Sequence, residues 1–292
     1  MISLSYLRQR DRWVLIAVTA LLVALGVAVT YDAWADIATI ATRDEESSHI
    51  FLVPIVCAWM AWVRRGRIRQ CRPVGRWFGP LIVAFGWLLW HLGFNFHTQT
   101  FWHGGSILIA VGCVVTVTGI DLVRRFFPAF AVLMFLIPVP GMVRQQIAIP
   151  LQNATAQFTR GMLETFGWPT ELSGNVLRIN GVEVGIAEAC NGLRMVFALV
   201  LVSYAFAYGT PLRHYVRLIV VAASPVSAIA CNVIRLMPTV LLYGYAPKEV
   251  ADKFHDASGW IMIIVAFGLL MGVIRLLRWA LVPVTPYTLA YD

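Results

Sequence analysis

Uncharged apolar runs of about 15 to 20 residues recur from one end of the chain to the other. A run of that length crosses the hydrocarbon core of a bilayer as a helix, because no water is available there and the backbone must satisfy its own N–H and C=O groups. Composition agrees: 59% of the 292 residues are hydrophobic and 13% are charged, about half the charged share of an ordinary soluble domain. A soluble globular protein, a disordered chain and a disulfide scaffold are excluded. The expected fold class is an all-α polytopic membrane protein. About eight transmembrane helices are expected, at roughly 13–31, 47–63, 77–96, 101–120, 126–143, 190–208, 218–243 and 258–274. These spans and short loops use up the length, so one domain is expected over 1–292.

The net charge of +8 does not point to nucleic acid, because the basic residues cluster in short loops between apolar runs. Arg8, Arg10 and Arg12, six arginines from Arg64 to Arg76, Arg124 with Arg125, Arg213 with Arg217, and Arg275 with Arg278 all fall on one side if the spans alternate. That side is the cytoplasm by the positive-inside rule, and both termini are expected there. The first apolar run, 13–31, is long enough to stay as a span, and no cleavable signal-peptide pattern precedes it. The five cysteines share no CxxC spacing, so neither a metal nor a cofactor is expected.

An extracytoplasmic insertion is expected at about 140–189. Ile147, Leu151, Ala154, Phe158, Met162 and Phe166 recur at helical spacing, with Gln152, Asn153, Gln157, Arg160 and Glu164 mostly off that stripe. This pattern predicts an amphipathic helix lying on the outer interface. Val176 to Ile179 and Val182 to Ile186 flank Asn180-Gly181. An Asn-Gly pair between β-forming residues predicts a β-hairpin, since both turn positions need positive φ. The hairpin leads directly into Glu188-Ala189-Cys190.

Three residues with reactive side chains fall at one depth, on one side. Cys190 opens the sixth expected span, where unpaired N–H groups and the positive end of the helix dipole favour a thiolate. Arg194 follows one turn later on the same face. Arg235 lies in the seventh span, about 26 Å along from Leu218 by helical rise, near the outer boundary. An arginine there must be paired or face a polar cavity. His255 precedes the eighth span. A thiol, a cation and an imidazole are the groups acyl transfer needs: nucleophile, charge stabiliser and acid/base. Glu188 is placed to orient His255 or to cap the helix start.

At these residues the chain resembles the exosortase/archaeosortase family. The carrying motifs are Glu188-Ala189-Cys190-Asn191-Gly192-Leu193-Arg194, Asn232-Val233-Ile234-Arg235-Leu236 and His255-x-x-x-Gly259-Trp260. Ile137-Pro138-Val139-Pro140 and Leu151-Gln152 are also similar to the family pattern. The resemblance covers 125–260, and the catalytic half is expected at about 125–275. It implies a bacterial inner-membrane cysteine protease-transpeptidase with its active site on the extracytoplasmic side. The implied substrates are exported proteins with a C-terminal sorting signal: a short motif (Pro-Glu-Pro in the commonest class), one transmembrane helix and an Arg-rich tail. Water, or an acceptor lipid or polysaccharide component, would complete the reaction. Carried over by motif, Cys190 is the nucleophile, Arg235 the charge stabiliser and His255 the third catalytic residue. Arg194, Glu188, Asn191 and Asn232 are supporting or substrate-binding residues. Asn191 departs from the Ser or other small residue of many relatives, which leaves the sorting-motif class open. Only about 18 residues follow the last expected span, so the soluble C-terminal domain that some relatives carry is not expected here.

Other readings remain. Cys190 could be an inert buried thiol, or pair with Cys231 in a disulfide. Arg235 could only join two helices. His49, His97 and His103 all fall near the outer face, but no carboxylate sits at ligand spacing to make a metal site. Two functions of a different class stand as alternatives: a small transporter or channel for an anionic solute with Arg194 and Arg235 along its path, or a non-catalytic scaffold for exopolysaccharide export. Transporters usually show paired repeats, and none is evident.

Overall fold

The computed structural model describes residues 9–185 and 192–279. It divides into two compact units, Met1–Pro140 and Gly141–Asp292, each taken by itself below.

In the first unit, α1 (Gln9–Val29) and α2 (Tyr31–Arg43) meet at Thr30, where the chain bends by 79°. The Thr30 hydroxyl donates to the Gly26 carbonyl at 2.8 Å and accepts the Trp34 indole N–H at 3.1 Å. A hydroxyl bonding back four residues competes with the helical ladder and favours bending. The first apolar run is therefore one limb of a broken pair. A 3₁₀ segment, Glu45–Phe51, then runs into α3 (Leu52–Val63).

Two long helices follow, α4 (Phe78–Asn95) and α5 (Gln99–Thr118). Gly79, Gly86 and Gly93 are the buried residues of α4. A Cβ on Gly93 would lie 2.2 Å from the backbone nitrogen of Trp102, and one on Gly79 would lie 2.3 Å from that of Thr116. The seven-residue glycine spacing keeps one face bare, so the two backbones touch along their length. Without a hydrophobic drive between helices in lipid, such contact is a main source of association.

Past Gly119, α6 (Ile120–Arg125) is tied to the Arg-rich segment before α4. The Asp121 carboxylate accepts the Arg72 backbone N–H and Arg125 Nε, both at 2.9 Å. Burial by itself would raise the pKa of Asp121, but the Arg72 N–H and the Arg125 guanidinium outweigh it and hold the carboxyl below its ordinary range. The unit closes with α7 (Phe127–Val132) and a 3₁₀ turn, Leu133–Leu136. The span expected at 126–143 is thus only a short helix. Pro138 and Pro140 lack an N–H and push the residues before them out of the helical region.

The second unit contains α8 (Gly141–Thr165), β1 (Glu171–Ser173), β2 (Val176–Ile179), β3 (Val182–Gly185), α9 (Gly192–Gly209), α10 (His214–Ala222), α11 (Ser224–Tyr245) and α12 (Lys248–Trp279). β2 and β3 pair antiparallel around Asn180-Gly181, whose φ values of 49° and 77° are those of a primed turn. β1 adds a third strand that the sequence did not suggest, in the order β1-β2-β3. Leu177, Ile179 and Val184 press the inner face of this sheet onto Ala156 and Leu163 of α8 and Leu236 and Val240 of α11. Each large side chain so buried contributes roughly 1.5–3 kcal/mol. Asn180 Nδ2 donates to the Gly244 carbonyl at 2.9 Å and pins the turn to the end of α11.

The helix expected at the insertion is α8, and its residues buried within the protein are Leu151, Thr155, Ala156, Thr159 and Leu163. Of the expected apolar stripe, Leu151 is buried, while Ile147, Phe158, Met162 and Phe166 are exposed, where an interfacial helix presents its apolar side chains to lipid. Small and threonine side chains let α8 sit close to its neighbours, and the bulky residues turn outward. The described residues do not by themselves give the eight spans expected. Among the described residues, four helices are long and apolar enough to cross a membrane, or up to six if each bent pair is one span. The breaks at Thr30 and after Leu136 account for part of the difference. The apolar stretches described in α9 and α12 are the shorter Val196–Gly209 and Gly268–Leu277.

Candidate active site

Arg235 and His255 are brought together by the α11–α12 hairpin. Only Ala246 and Pro247 separate Tyr245, the last residue of α11, from Lys248, the first of α12. Arg235 lies ten residues before the end of α11 (245 − 235), and His255 seven after the start of α12 (255 − 248). At a rise of about 1.5 Å per residue these are roughly 15 and 10 Å from the turn. The long arginine side chain closes the difference.

The contact is direct. Arg235 Nη2 donates to His255 Nε2 at 3.0 Å, and Arg235 Nε donates to Ser258 Oγ at 3.1 Å. Ser258 Oγ in turn donates to the His255 carbonyl at 2.7 Å, and Ser258 is 1% exposed. The Arg235 carbonyl accepts the Thr239 hydroxyl at 2.7 Å. A guanidinium has only donors, so His255 Nε2 must carry a lone pair, and a neutral ring has its proton on Nδ1. The two side chains are therefore fixed in orientation and tautomer. Asn232, three residues before Arg235, is buried in α11.

His255 opens onto a cleft of about 650 Å³, lined also by β3, Tyr243, Ala246, Lys248 and Asp252. Tyr243 Oη donates to Asp252 Oδ1 at 2.7 Å across one wall. An imidazole lone pair and a permanent cation beside an open cleft can accept a proton and stabilise a developing oxyanion.

Glu188, Cys190 and Asn191 lie outside the described residues. Arg194 falls on the first turn of α9, and its side chain lies outside the description too. Farther along α9, Val196 and Leu199 pack with Leu151, Ala228, Cys231 and Met262. Cys231 is a buried free thiol. Ser258, Tyr243, Asp252 and Lys248 were missed by sequence reasoning. Only the spacing of Ser258, three residues after His255 on a helix, could have suggested it.

His49 and His103 have separate surroundings. His103 is wholly buried and bonds Asp36 Oδ2 through Nε2 at 2.9 Å, a carboxylate too distant in sequence to be paired with it by spacing. His49 bonds the Glu46 carbonyl at 3.1 Å. Among the described residues, no group of three or more His, Cys, Asp or Glu side chains converges as a metal site would require.

Residues 34–272 match the family described as transmembrane exosortase (Exosortase_EpsH). No curated protein and no solved structure gives a significant match to the chain.

Proposed function

The chain belongs to the transmembrane exosortase family, and on that premise we propose that it is a cysteine protease-transpeptidase acting on exported proteins that carry a C-terminal sorting signal of motif, membrane helix and Arg-rich tail (the PEP-CTERM type). Cys190 is the nucleophile. The enzyme sits in the bacterial inner membrane with both termini cytoplasmic and its reacting groups on the extracytoplasmic side. The observation that carries this reading is the 3.0 Å contact between Arg235 Nη2 and His255 Nε2. It supports a neutral imidazole base held beside a guanidinium, which is the pair that a thiol nucleophile needs.

The reaction runs in two halves. As substrate enters, the guanidinium turns from the imidazole to the scissile carbonyl, and the freed Nε2 takes the Cys190 thiol proton. The thiolate attacks the carbonyl carbon, and Arg235 stabilises the oxyanion. The intermediate collapses, the C–N bond breaks, and the imidazolium gives its proton to the departing amine. The acyl group stays on Cys190 as a thioester. An acceptor, whether water or a nucleophile on a lipid or polysaccharide component, is then deprotonated by His255, attacks the thioester and restores the thiol. Arg194, Glu188, Asn191 and Asn232 orient these groups or the substrate.

The test is C-terminal mass mapping of an exported protein from the same genome that ends in motif, helix and basic tail. With the wild-type enzyme its new C-terminus lies at the motif. With Cys190→Ala, inserted at normal levels, the full tail remains. Continued cleavage in that variant refutes the nucleophile assignment.

A further inference from the structure

We propose that β3 is a docking edge: an extended segment of the processed protein adds to it as a fourth strand, with an acidic side chain of that segment on Lys248. The inference takes the identity of the peptide from the function proposed above. The docking mode stands on the geometry of the second unit alone.

In the order β1-β2-β3, β3 has β2 on one side, and among the described residues no strand pairs with its other side. All four of its residues, Val182, Glu183, Val184 and Gly185, line the cleft that holds His255. Side chains of a strand alternate between faces, so four consecutive residues border one cavity only through the backbone edge. The inner face is already taken, since Val184 packs into the core with Leu177 and Ile179.

The unpaired groups can be assigned. Ile179 and Val182 flank the two-residue turn and pair with each other, so they form the hydrogen-bonded pair that closes such a hairpin. Bonded and non-bonded pairs alternate along an antiparallel ladder. Val182 and Val184 therefore bond β2, and the N–H and C=O groups of Glu183 and Gly185 point into the cleft. A strand laid there meets four backbone groups, as in peptide recognition by strand addition. The cleft also selects for charge. Asp252 is engaged by Tyr243, and Glu183 is ion-paired with Arg178. Lys248 is exposed on the same wall and has no partner among the described residues, so it is the cation left for an incoming carboxylate.

Binding is measured by fluorescence anisotropy on the full-length Cys190→Ala protein in detergent, which separates docking from cleavage. The probe is a synthetic ten-residue peptide copying the segment before the C-terminal helix of the same-genome protein used for mass mapping. Its amides are N-methylated one at a time. Strand addition predicts a period of two: alternate methylations weaken binding about three- to tenfold each, and the intervening ones do little. Glu183→Pro, which removes an outward N–H, weakens binding similarly, while Glu183→Thr, which keeps it, binds within about twofold. In a double-mutant cycle, changing the peptide's acidic residue to its amide costs affinity with Lys248 present and nothing further in Lys248→Gln. No binding of the unmethylated peptide, no periodicity across the scan, or additive effects in the Lys248 cycle overturns the proposal. Periodic binding without cleavage by the wild-type protein leaves docking standing and refutes the proposed reaction. Cleavage without periodicity does the reverse.

Discussion

Ser258→Ala isolates the positioning of Arg235 from its charge. Two residues of α12 hold the guanidinium: Ser258 through Oγ on Nε at 3.1 Å, and His255 through Nε2 at 3.0 Å and its carbonyl at 3.5 Å, both on Nη2. The substitution removes the first and leaves the second, in a site where Ser258 is 1% exposed. A hydrogen bond to a charged group contributes about 1.5–3 kcal/mol. The Nη side of the guanidinium keeps a partner of its own, His255 before substrate enters and the oxyanion afterwards, so the lower figure applies, about 1.5 kcal/mol. If that loss falls on the transition state, the rate drops about tenfold. The loss should appear in kcat with KM little changed, because in the proposed reaction the guanidinium acts on the developing oxyanion and does not anchor the substrate. The assay is the initial rate of C-terminal processing of a reporter by the enzyme in proteoliposomes, with Tm measured in parallel. A kcat within twofold of wild type at an unchanged Tm refutes the argument that Ser258 sets the arginine. A fall in Tm with unaltered kcat shows a role in stability alone.

Other predictions concern the frame around the site. Gly93→Ala places a Cβ 2.2 Å from the Trp102 backbone nitrogen, so the α4–α5 contact must open and about 1–3 kcal/mol is lost; Gly161→Ala, with nothing within 4 Å, is the control. Equal Tm and membrane levels for the two variants would contradict the close-packing account. Asp121 has a folded pKa below its unfolded value, so its contribution to stability is present above about pH 4 and is lost as the pH falls through the lower folded value. Asp121→Asn should remove that acid-side dependence from a Tm-against-pH profile, and an unchanged profile would count against it. Asp36→Ala leaves the buried His103 ring without its carboxylate and is expected to cost about 1–3 kcal/mol, read as a lower Tm; a Tm equal to wild type would mean the pair contributes nothing.

Legibility from sequence varied with the kind of signal. Asn180-Gly181 announced its hairpin because few residues besides Asn and Gly accept positive φ at both turn positions. Arg235 and His255 stood out because a cation in an apolar run demands a partner, and the structure pairs them. Ser258 did not stand out, since a serine near a span start is ordinary and only the folded hairpin shows that it bridges Arg235 and the His255 carbonyl. Thr30 hid the bend between α1 and α2 because threonine does not interrupt a hydropathy pattern, although its hydroxyl can break the ladder. On α8 the apolar periodicity announced the helix, but not that Thr155, Ala156 and Thr159 would form the face packed inside the protein, because small and polar side chains carry no hydropathy signal. The seven-residue glycine spacing of α4 was present throughout, yet mean hydropathy cannot show which face of a span another helix touches.

The central claim is that substrate is carried on the Cys190 sulfur. Mass spectrometry of the enzyme quenched in acid during turnover tests this most directly. The account predicts an acyl adduct on Cys190, ending at the cleaved motif, that hydroxylamine releases and that is absent in Cys190→Ala. Full cleavage with no adduct at Cys190, or an adduct on a different residue, would contradict it.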